Sequence, residues 1–436
     1  MAQFRKDTHV YLDQEKTIFE VVMLADQYGN LVGPANPSGA AVDAFGRARM
    51  SQPLTLFDSF HKYKENDKFN TANSATGSSL SFDANSSAML SNVSTSNGNY
   101  VYRESSKTFA YQPGKSLQFL YSFCFAPAQT GLRQRIGYFG TANGIYLELN
   151  GSTINFVIRS SSTGSLVEDR IPQSSWNVDK LDGTGPSLLT LDISKVQIFW
   201  SDIEWLGVGT VRCGFVINGR LIHCHSFHHA NLTTTTYMST AILPLRNEIE
   251  NIAATGNNSS MKVICASVVS EGGYELRGEQ FTTGQAPNNA YTLTTAGVFY
   301  PIAAIRIRGD RPDAVVLPKN ISVLGLSGNG SRIAYKVVNG ATVTGGTWVD
   351  ADTANSSVQY NITATSMSGG RSYLTAYQAI NNQGSVASNI LGNDVFRHQL
   401  ERNTFNGGSN TTFVLAVAGA GNLDTCIGSI DWEEIS

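Results

Sequence analysis

Four histidines and a thiol form the densest group of potential metal ligands in the sequence. The segment His223-Cys224-His225-Ser226-Phe227-His228-His229 holds four of the seven histidines. On a regular strand His223 and His225 share one face, a spacing that zinc and nickel sites use, while Cys224 points to the other face. His223 and His225 are therefore the candidate metal ligands. The favoured interpretation is polar strand-end residues, at an interface or in water, and no cofactor is expected.

Two of the five cysteines are predicted to face each other across a hairpin. An Asn-Gly turn at Asn218-Gly219 pairs Ile217 with Arg220, and counting outward places Cys213 opposite Cys224. Facing residues of a ladder are close enough for a disulfide, although strand geometry strains the bond. The alternatives are a cross-strand disulfide and two small buried apolar side chains. The second is favoured, because no secretion signal is recognised and reduced thiols are then expected.

Scattered carboxylates provide no recognisable catalytic pair. Glycoside hydrolysis uses two carboxyl groups at a defined separation, and no spacing in the middle region selects two of them. The candidates are Glu148, Glu168, Asp169, Asp179, Asp182, Asp192, Asp202 and Glu204. The loop Asp179-Lys180-Leu181-Asp182-Gly183 offers oxygen ligands for calcium, but it lacks the regular calcium-hand pattern, so a solvated turn is favoured. No enzymatic activity is predicted.

Exposed aromatic side chains are the candidates for contact with sugars. Aromatic residues make up 10% of the chain, and sugar rings stack on Tyr and Trp. Tyr146, Trp176 and Trp205 are the candidate glycan contacts in the middle region. The alternative is that these large rings are core residues, as most are in a β-sandwich.

The elements that must position these residues are predicted to be β-strands. Asn-Gly, the strongest short signal for a hairpin, recurs along the chain, and five occurrences are taken as turns. It occurs at Asn97-Gly98, Asn150-Gly151, Asn218-Gly219, Asn339-Gly340 and Asn406-Gly407. Around Asn150-Gly151, apolar residues alternate with polar ones, which predicts a hairpin with one face in a core. The segment from Leu245 to Ala253 could be a short helix, but the β-branched sequence after it favours a strand. The predicted architecture is all-β.

The composition limits the partners. The chain has 436 residues, of which 15% are charged, and a net charge of −3. This charged fraction is below the ~25% of ordinary globular proteins, and such a surface suits secreted or particle-bound β proteins. No basic field is available for nucleic acid. The N-terminus lacks the pattern of a signal peptide, and no apolar run reaches the ~20 residues that span a bilayer. No membrane insertion is expected.

Three regions are predicted. Residues 1–60 form an extended arm with short strands, which must lie on the rest of the subunit or on a neighbour because it cannot bury a core alone. Residues 61–280 form a first β-sandwich, and residues 281–436 form a second. The strands of the middle region, with Tyr111-Gln112-Pro113-Gly114-Lys115 and Ile136-Gly137-Tyr138-Phe139 among the earliest, resemble those of a concanavalin-like lectin sandwich.

A segment near the N-terminus resembles a motif of tailed-bacteriophage virion structural proteins. It reads Asp43-Ala44-Phe45-Gly46-Arg47-Ala48-Arg49-Met50-Ser51-Gln52-Pro53, followed by Leu54-Thr55-Leu56-Phe57-Asp58-Ser59. In that family the segment usually reads Asp-Ala-Phe-Gly-Arg-Leu-Arg-Val-Ser, then a Pro and Thr-Leu-Phe-Asp-Ser. This chain differs at Ala48 and Met50, both tolerable changes at apolar positions.

The resemblance implies a non-enzymatic structural protein located in the virion. The family does not settle the position in the particle, but the lectin-like middle region favours the tail, baseplate or adsorption apparatus, in contact with other virion proteins and with host surface glycans. The alternatives are a decoration protein of the capsid surface and a polysaccharide-degrading or carbohydrate-binding protein. A homo-oligomer is expected, with a trimer as the preferred state. The assembly motif comprises Asp43, Phe45, Arg47, Arg49, Pro53, Phe57 and Asp58. Arg47 and Arg49 would meet carboxylates of the same or a neighbouring subunit.

Overall fold

The computed structural model describes residues 52–327, 332–380, 397–405 and 411–435, with the backbone of five further short strands and of residues 395–396. The chain divides into two units, Met1–Gln52 and Pro53–Ser436. In the first unit, β1 (Val10–Leu12) pairs with β2 (Ile18–Glu20), and β3 (Leu24–Ala25) pairs with β4 (Leu31–Val32). Both pairs are antiparallel. The motif residues Asp43, Phe45, Arg47 and Arg49 lie outside the described residues.

The second unit begins with a β-sandwich. Its strands are β5 (Leu54–Phe60), β6 (Phe69–Asn73), β7 (Ser78–Asp83), β8 (Ala88–Val93), β9 (Tyr100–Ser105), β10 (Phe109–Ala110), β11 (Leu117–Cys124), β12 (Leu132–Phe139), β13 (Gly144–Asn150), β14 (Thr153–Ser160), β15 (Val167–Pro172), β16 (Gln197–Ile203), β17 (Val211–Ile217), β18 (Arg220–Phe227), β19 (Ile242–Leu243), β20 (Leu245–Asn251) and β21 (Ser259–Ser270). A single 3₁₀ turn, Gln173–Ser175, follows β15.

Two antiparallel sheets enclose the first core. One has the order β18-β17-β16-β11-β21-β8-β7, with β5 also paired to β21, and the other has the order β15-β14-β13-β12-β20-β9-β6. The predicted alternation around Asn150-Gly151 is confirmed: Ile145, Leu147 and Phe156 lie in the core between the sheets. The segment from Leu245 is the strand β20, as predicted. β5, which lies inside the predicted arm, is part of this sandwich.

A second sandwich follows. Its strands are β22 (Glu279–Gly284), β23 (Tyr291–Leu293), β24 (Tyr300–Ile307), β25 (Val315–Ser327), β26 (Arg332–Thr344), β27 (Val349–Asp350), β28 (Val358–Asn361), β29 (Ser366–Ala379), β30 (Val386–Asn389), β31 (Phe413–Gly419) and β32 (Asp424–Ile435). The sheets have the orders β22-β32-β25-β30, with β23 on β32, and β27-β28-β24-β31-β26-β29. A short 3₁₀ helix spans Val395–His398. The all-β, two-sandwich prediction is confirmed.

Two of the five Asn-Gly signals form the predicted hairpins, at Asn150-Gly151 and Asn218-Gly219. Two predictions are wrong. Asn97-Gly98 joins β8 to β9, which belong to different sheets. Asn339-Gly340 lies inside β26, where Gly340 takes a φ of +76° and the strand continues through it. The fifth signal lies outside the described residues. Asn-Gly specifies a local backbone conformation, and the rest of the chain decides which strands it joins.

The two sandwiches meet along a seam. We use this name for residues 104–110 of the first sandwich where they contact residues 312–317 and 397–405. Thr108 Oγ1 donates to the carbonyl of Asp313 at 3.0 Å, and Gln399 Nε2 donates to the carbonyl of Thr108 at 2.8 Å. The backbone N–H of Arg402 donates to Ser106 at 2.8 Å. Buried Ala110, Val315 and Leu317 add an apolar contact.

Candidate functional site

The outer face of the sheet that contains β20 carries most of the charged groups buried in the first sandwich. Period-two alternation turns most of the apolar residues of β13, β14 and β20 into the core and leaves the charged ones on this face. We call the charged set the ion-paired row. Its members are Glu104, Arg133, Arg135, Glu148, Arg159, Glu168, Arg170, Arg246, Glu248 and Glu250. Sequence reasoning missed most of it, although the alternation Arg246-x-Glu248-x-Glu250 was a usable signal.

Each carboxylate of the row is held by arginine. Arg135 Nη2 lies 2.5 Å from both Glu248 and Glu250. Arg246 Nε donates to Glu248 at 2.5 Å, and its Nη1 donates to Glu104 at 2.8 Å.

The outer half of the row repeats this pattern. Arg170 Nε donates to Glu148 at 2.8 Å, and Arg159 Nη2 donates to Glu168 at 2.6 Å. Tyr146 also donates to Glu168, at 2.6 Å. Charge-assisted hydrogen bonds of this kind are short and fix the orientation of both partners.

The ion pairs favour the charged forms of Glu168 and Arg135. Burial by itself would raise the pKa of Glu168, but hydrogen bonds from Tyr146 and Arg159 outweigh it and lower that pKa to about 2. Burial likewise opposes the charge of Arg135, yet Glu248 and Glu250 raise the pKa of its guanidinium. A glycosidase needs one carboxyl group that is protonated near neutral pH. Glu168 does not meet that requirement.

A second pair of carboxylates lies elsewhere. Asp202 and Glu204 line a pocket of about 450 Å³ together with Thr210 and Arg212. Arg212 Nε donates to Asp202 at 2.8 Å. Burial nevertheless raises the pKa of Asp202 above its ordinary value.

The calcium-like loop uses its carboxylates internally. Asp179 Oδ1 accepts the N–H of Leu181 at 2.9 Å, and its Oδ2 accepts the N–H of Ser187 at 2.8 Å. Asp182 accepts from the backbone and the hydroxyl of Thr184. These bonds are those of a self-supporting turn.

The prediction that His223 and His225 share a face is wrong. A β-bulge between Cys213 and Gly214 sets Gly214 opposite His223 and Cys213 opposite His225. The ring of His223 lies 6.2 Å from Trp200, whereas His225 is buried against Phe227 at 4.5 Å. No group of three or more metal-ligating side chains occurs among the described residues.

The same bulge shows that the predicted pairing of Cys213 with Cys224 is wrong. Cys213 faces His225 and not Cys224, because the extra residue shifts the register. Both cysteines are free thiols buried in the first core. Burial raises the pKa of Cys213 to about 12.

Two of the three aromatic candidates are buried, so their assignment as glycan contacts is wrong. Tyr146 is 0% exposed and Trp176 is 2% exposed. Trp176 stacks on Phe156 at 4.2 Å, because the loop after β15 folds it into the sandwich. Trp205 is half-buried, 6.2 Å from Tyr111, and its contact with glycan stays a prediction.

The described part of the motif is attached to the first sandwich through Phe57. Pro53 and Asp58 are exposed, while Phe57 is buried on β5. Its ring lies 5.9 Å from Phe69 and 5.0 Å from Phe109. The motif therefore joins the first sandwich through an aromatic contact.

A cavity of about 720 Å³ lies beside this contact, at the seam between the two sandwiches. We call it the seam cavity. Residues 55–58 form one wall, and Arg371 and Tyr373 of β29 form another. Sequence reasoning missed it, because its walls come from strands more than 300 positions apart.

No protein-family model matches the chain, and no curated protein matches it. Similar solved structures include a Bacillus licheniformis beta-glucanase, at 12% identity and a TM-score of 0.33, which covers 49% of this chain and 96% of its own. A family 16 endo-glucanase from Bacteroides ovatus, at 11% identity and a TM-score of 0.34, covers 49% and 99%. The CBM2 module of the evolved Dit of Lactobacillus casei BL23 phage J-1, at 7% identity and a TM-score of 0.34, covers 52% and 99%. At these identities and TM-scores, none of the three indicates what this chain does.

No helix among the described residues is long and apolar enough to cross a membrane.

Proposed function

We propose that this protein is a non-enzymatic structural component of a tailed-phage virion, in the tail, baseplate or adsorption apparatus. The ion-paired row is the observation that carries the proposal. Its five carboxylates, Glu104, Glu148, Glu168, Glu248 and Glu250, are each held by arginine. Buried ion pairs contribute little net stability, but they favour one arrangement of the groups over others. Such a face suits a rigid building part better than proton transfer.

The motif supports the assignment to a virion. Asp43 to Ser59 resembles the segment that recurs in phage virion structural proteins. Its second half is anchored in the first sandwich through Phe57. Arg47 and Arg49 then precede a fixed attachment point by only a few residues. In this proposal they bind carboxylates of a neighbouring subunit in a homo-oligomer, with a trimer as the expected state.

The test is replacement of Arg47 and Arg49 by Ala in the phage genome. We expect particles to lose most of this protein, while the purified variant keeps the unfolding midpoint of the wild type. Arg277→Ala is the matched control, because Arg277 is an exposed arginine outside the motif. Normal incorporation of the double variant, or a stable monomer with no copy in purified wild-type particles, would overturn the proposal.

Position in the particle separates the tail apparatus from a capsid decoration. A tail or baseplate component would be expected to bind host glycans, and a decoration protein would not. Electron microscopy of particles that carry a tagged copy locates the protein directly. Label on the capsid surface would replace the tail assignment with that of a decoration protein.

One observation favours a polysaccharide-degrading activity as the second candidate. Asp202 has a raised pKa and shares its pocket with Glu204. The purified protein would then clear capsular polysaccharide, and Asp202→Asn would abolish clearing. Asp192→Asn is the control, because Asp192 lies in an exposed turn and bonds only to neighbouring residues. Absence of clearing by the wild type would remove this candidate.

A further inference from the structure

The seam cavity has the dimensions and the chemistry of a binding site. Its volume of about 720 Å³ lies in the range of small-molecule sites, roughly 300–1,000 Å³. Both sandwiches contribute to it, and ligand sites occur preferentially where two domains meet. One wall is the phage-like motif itself, from Thr55 to Asp58. None of the functions considered above uses this cavity.

Two cations of the cavity, Lys68 and Arg371, can each donate a hydrogen bond to a ligand. Lys68 Nζ donates to the carbonyl of Asp58 at 2.9 Å and lies 5.2 Å from the centre of the Phe57 ring. Lys68 also interacts electrostatically with Glu401 of the same cavity. An ammonium group has three donors, and one carbonyl uses only one of them. Arg371 contacts Asp67 at 3.4 Å, and both side chains are mostly exposed.

Tyr373 adds a neutral donor. Its hydroxyl oxygen accepts from Asn339 Nδ2 at 2.9 Å. A phenol that accepts one hydrogen bond still has its own proton to donate. The ring is fixed by an edge contact with His398 at 5.2 Å. The side chain of this cavity residue is therefore held in place on both its ring and its hydroxyl.

Acceptors line the same cavity. Asp58, Asp67 and Glu401 are among its residues. Burial raises the pKa of Glu401, although Lys107 and Arg371 act in the opposite direction. A bare inorganic anion would be attracted by the cations and repelled by these carboxylates. A ligand that combines one anionic group with several hydroxyl donors satisfies both sets.

We propose that the seam cavity binds an acidic saccharide, with its anionic group on Lys68 and Arg371 and its hydroxyl groups on the carboxylates. The anionic group is a carboxylate or a phosphate, since both accept the same hydrogen bonds. The proposal rests on the proposed function, because it names the class of surface glycan that a virion protein of this kind would contact. The volume of the cavity limits the bound part to a few sugar units.

Titration calorimetry on the full chain at low salt tests the site. The probes are trigalacturonic acid for the carboxylate, glucose 1-phosphate for the phosphate and maltotriose as the neutral sugar. We expect one of the acidic probes to bind and maltotriose not to bind. Raising the salt concentration should weaken binding, because the contacts are electrostatic. The acidic probe that binds identifies the anionic group.

Matched variants decide where the ligand sits. Lys68→Met combined with Arg371→Gln should weaken binding about tenfold or more, because two charge-assisted contacts are lost. Lys195→Met combined with Arg277→Gln removes the same charges outside the cavity and should leave the affinity within about twofold. Tyr373→Phe, which keeps the ring, should weaken binding several-fold if the hydroxyl donates to the ligand. Unchanged thermal melting confirms that each variant is folded.

Three results would overturn the site: no binding of either acidic probe by the wild type, equal losses in the two double variants, or full binding by the cavity variant. Incorporation into particles is a separate readout. The cavity variant should be incorporated normally, because Lys68 and Arg371 are not assigned to assembly. If the wild type binds the saccharide but is absent from particles, the virion assignment fails while the binding site stands.

Discussion

At the scale of single residues, His61 shows how burial changes a titrating group. Its side chain is 5% exposed, and its Nδ1 accepts the backbone N–H of Asn66 at 3.0 Å. Burial, assisted by the charge of Arg103, lowers the pKa of His61 from 6.5 to about 4. His61 therefore binds a proton near pH 6.5 in the unfolded chain but only near pH 4 in the folded chain.

The free energy of unfolding should consequently be highest above pH 6.5 and fall as the pH drops towards 4. His61→Gln should make this fall shallower, because one proton-binding difference is removed. Urea unfolding between pH 7.5 and 4.5 measures the slopes. Identical slopes for His61→Gln and the wild type would contradict the prediction.

At the scale of the element, β5 connects the phage-like motif to the fold. Phe57 is buried against Phe69 and Phe109, while Phe60 on the same strand is 60% exposed. Phe57→Ala should lower the free energy of unfolding by about 3–5 kcal/mol, because it leaves a cavity among aromatic rings. Phe60→Ala, the control with the same change, should cost less than about 1 kcal/mol. Equal losses in denaturant unfolding would show that β5 is not anchored through Phe57.

The elements also show which sequence signals are reliable. Alternation of apolar residues placed Ile145, Leu147 and Phe156 in the core correctly, since a strand turns successive side chains to opposite faces. The same rule failed on β18, where a single bulge separates His223 from His225. A bulge depends on the pairing partner, so the sequence of β18 alone does not reveal it.

At the scale of the whole molecule, the seam makes residues 53–436 one compact unit. Arg402 is 6% exposed. It donates to the carboxylate of Glu104 at 2.7 Å and to the carbonyl of Pro312 at 3.3 Å. Calorimetry should therefore show one unfolding transition for this unit. Arg402→Met leaves Glu104 with a single arginine and should lower the melting temperature or divide the transition into two. Arg277→Met, at an exposed arginine, should do neither. Two separate transitions in the wild type would contradict the coupling.

The sequence by itself determined the all-β architecture, the Asn150-Gly151 and Asn218-Gly219 hairpins and the core faces of the strands around Asn150-Gly151, because these depend on residues a few positions apart. Only the tertiary structure decided that Tyr146 and Trp176 are buried, that Cys213 faces His225, and that the outer carboxylates are held by arginine. Glu104 and Arg402, which hold the seam, are 298 positions apart. Burial and charge pairing arise from contacts between such distant segments, and no local pattern encodes them.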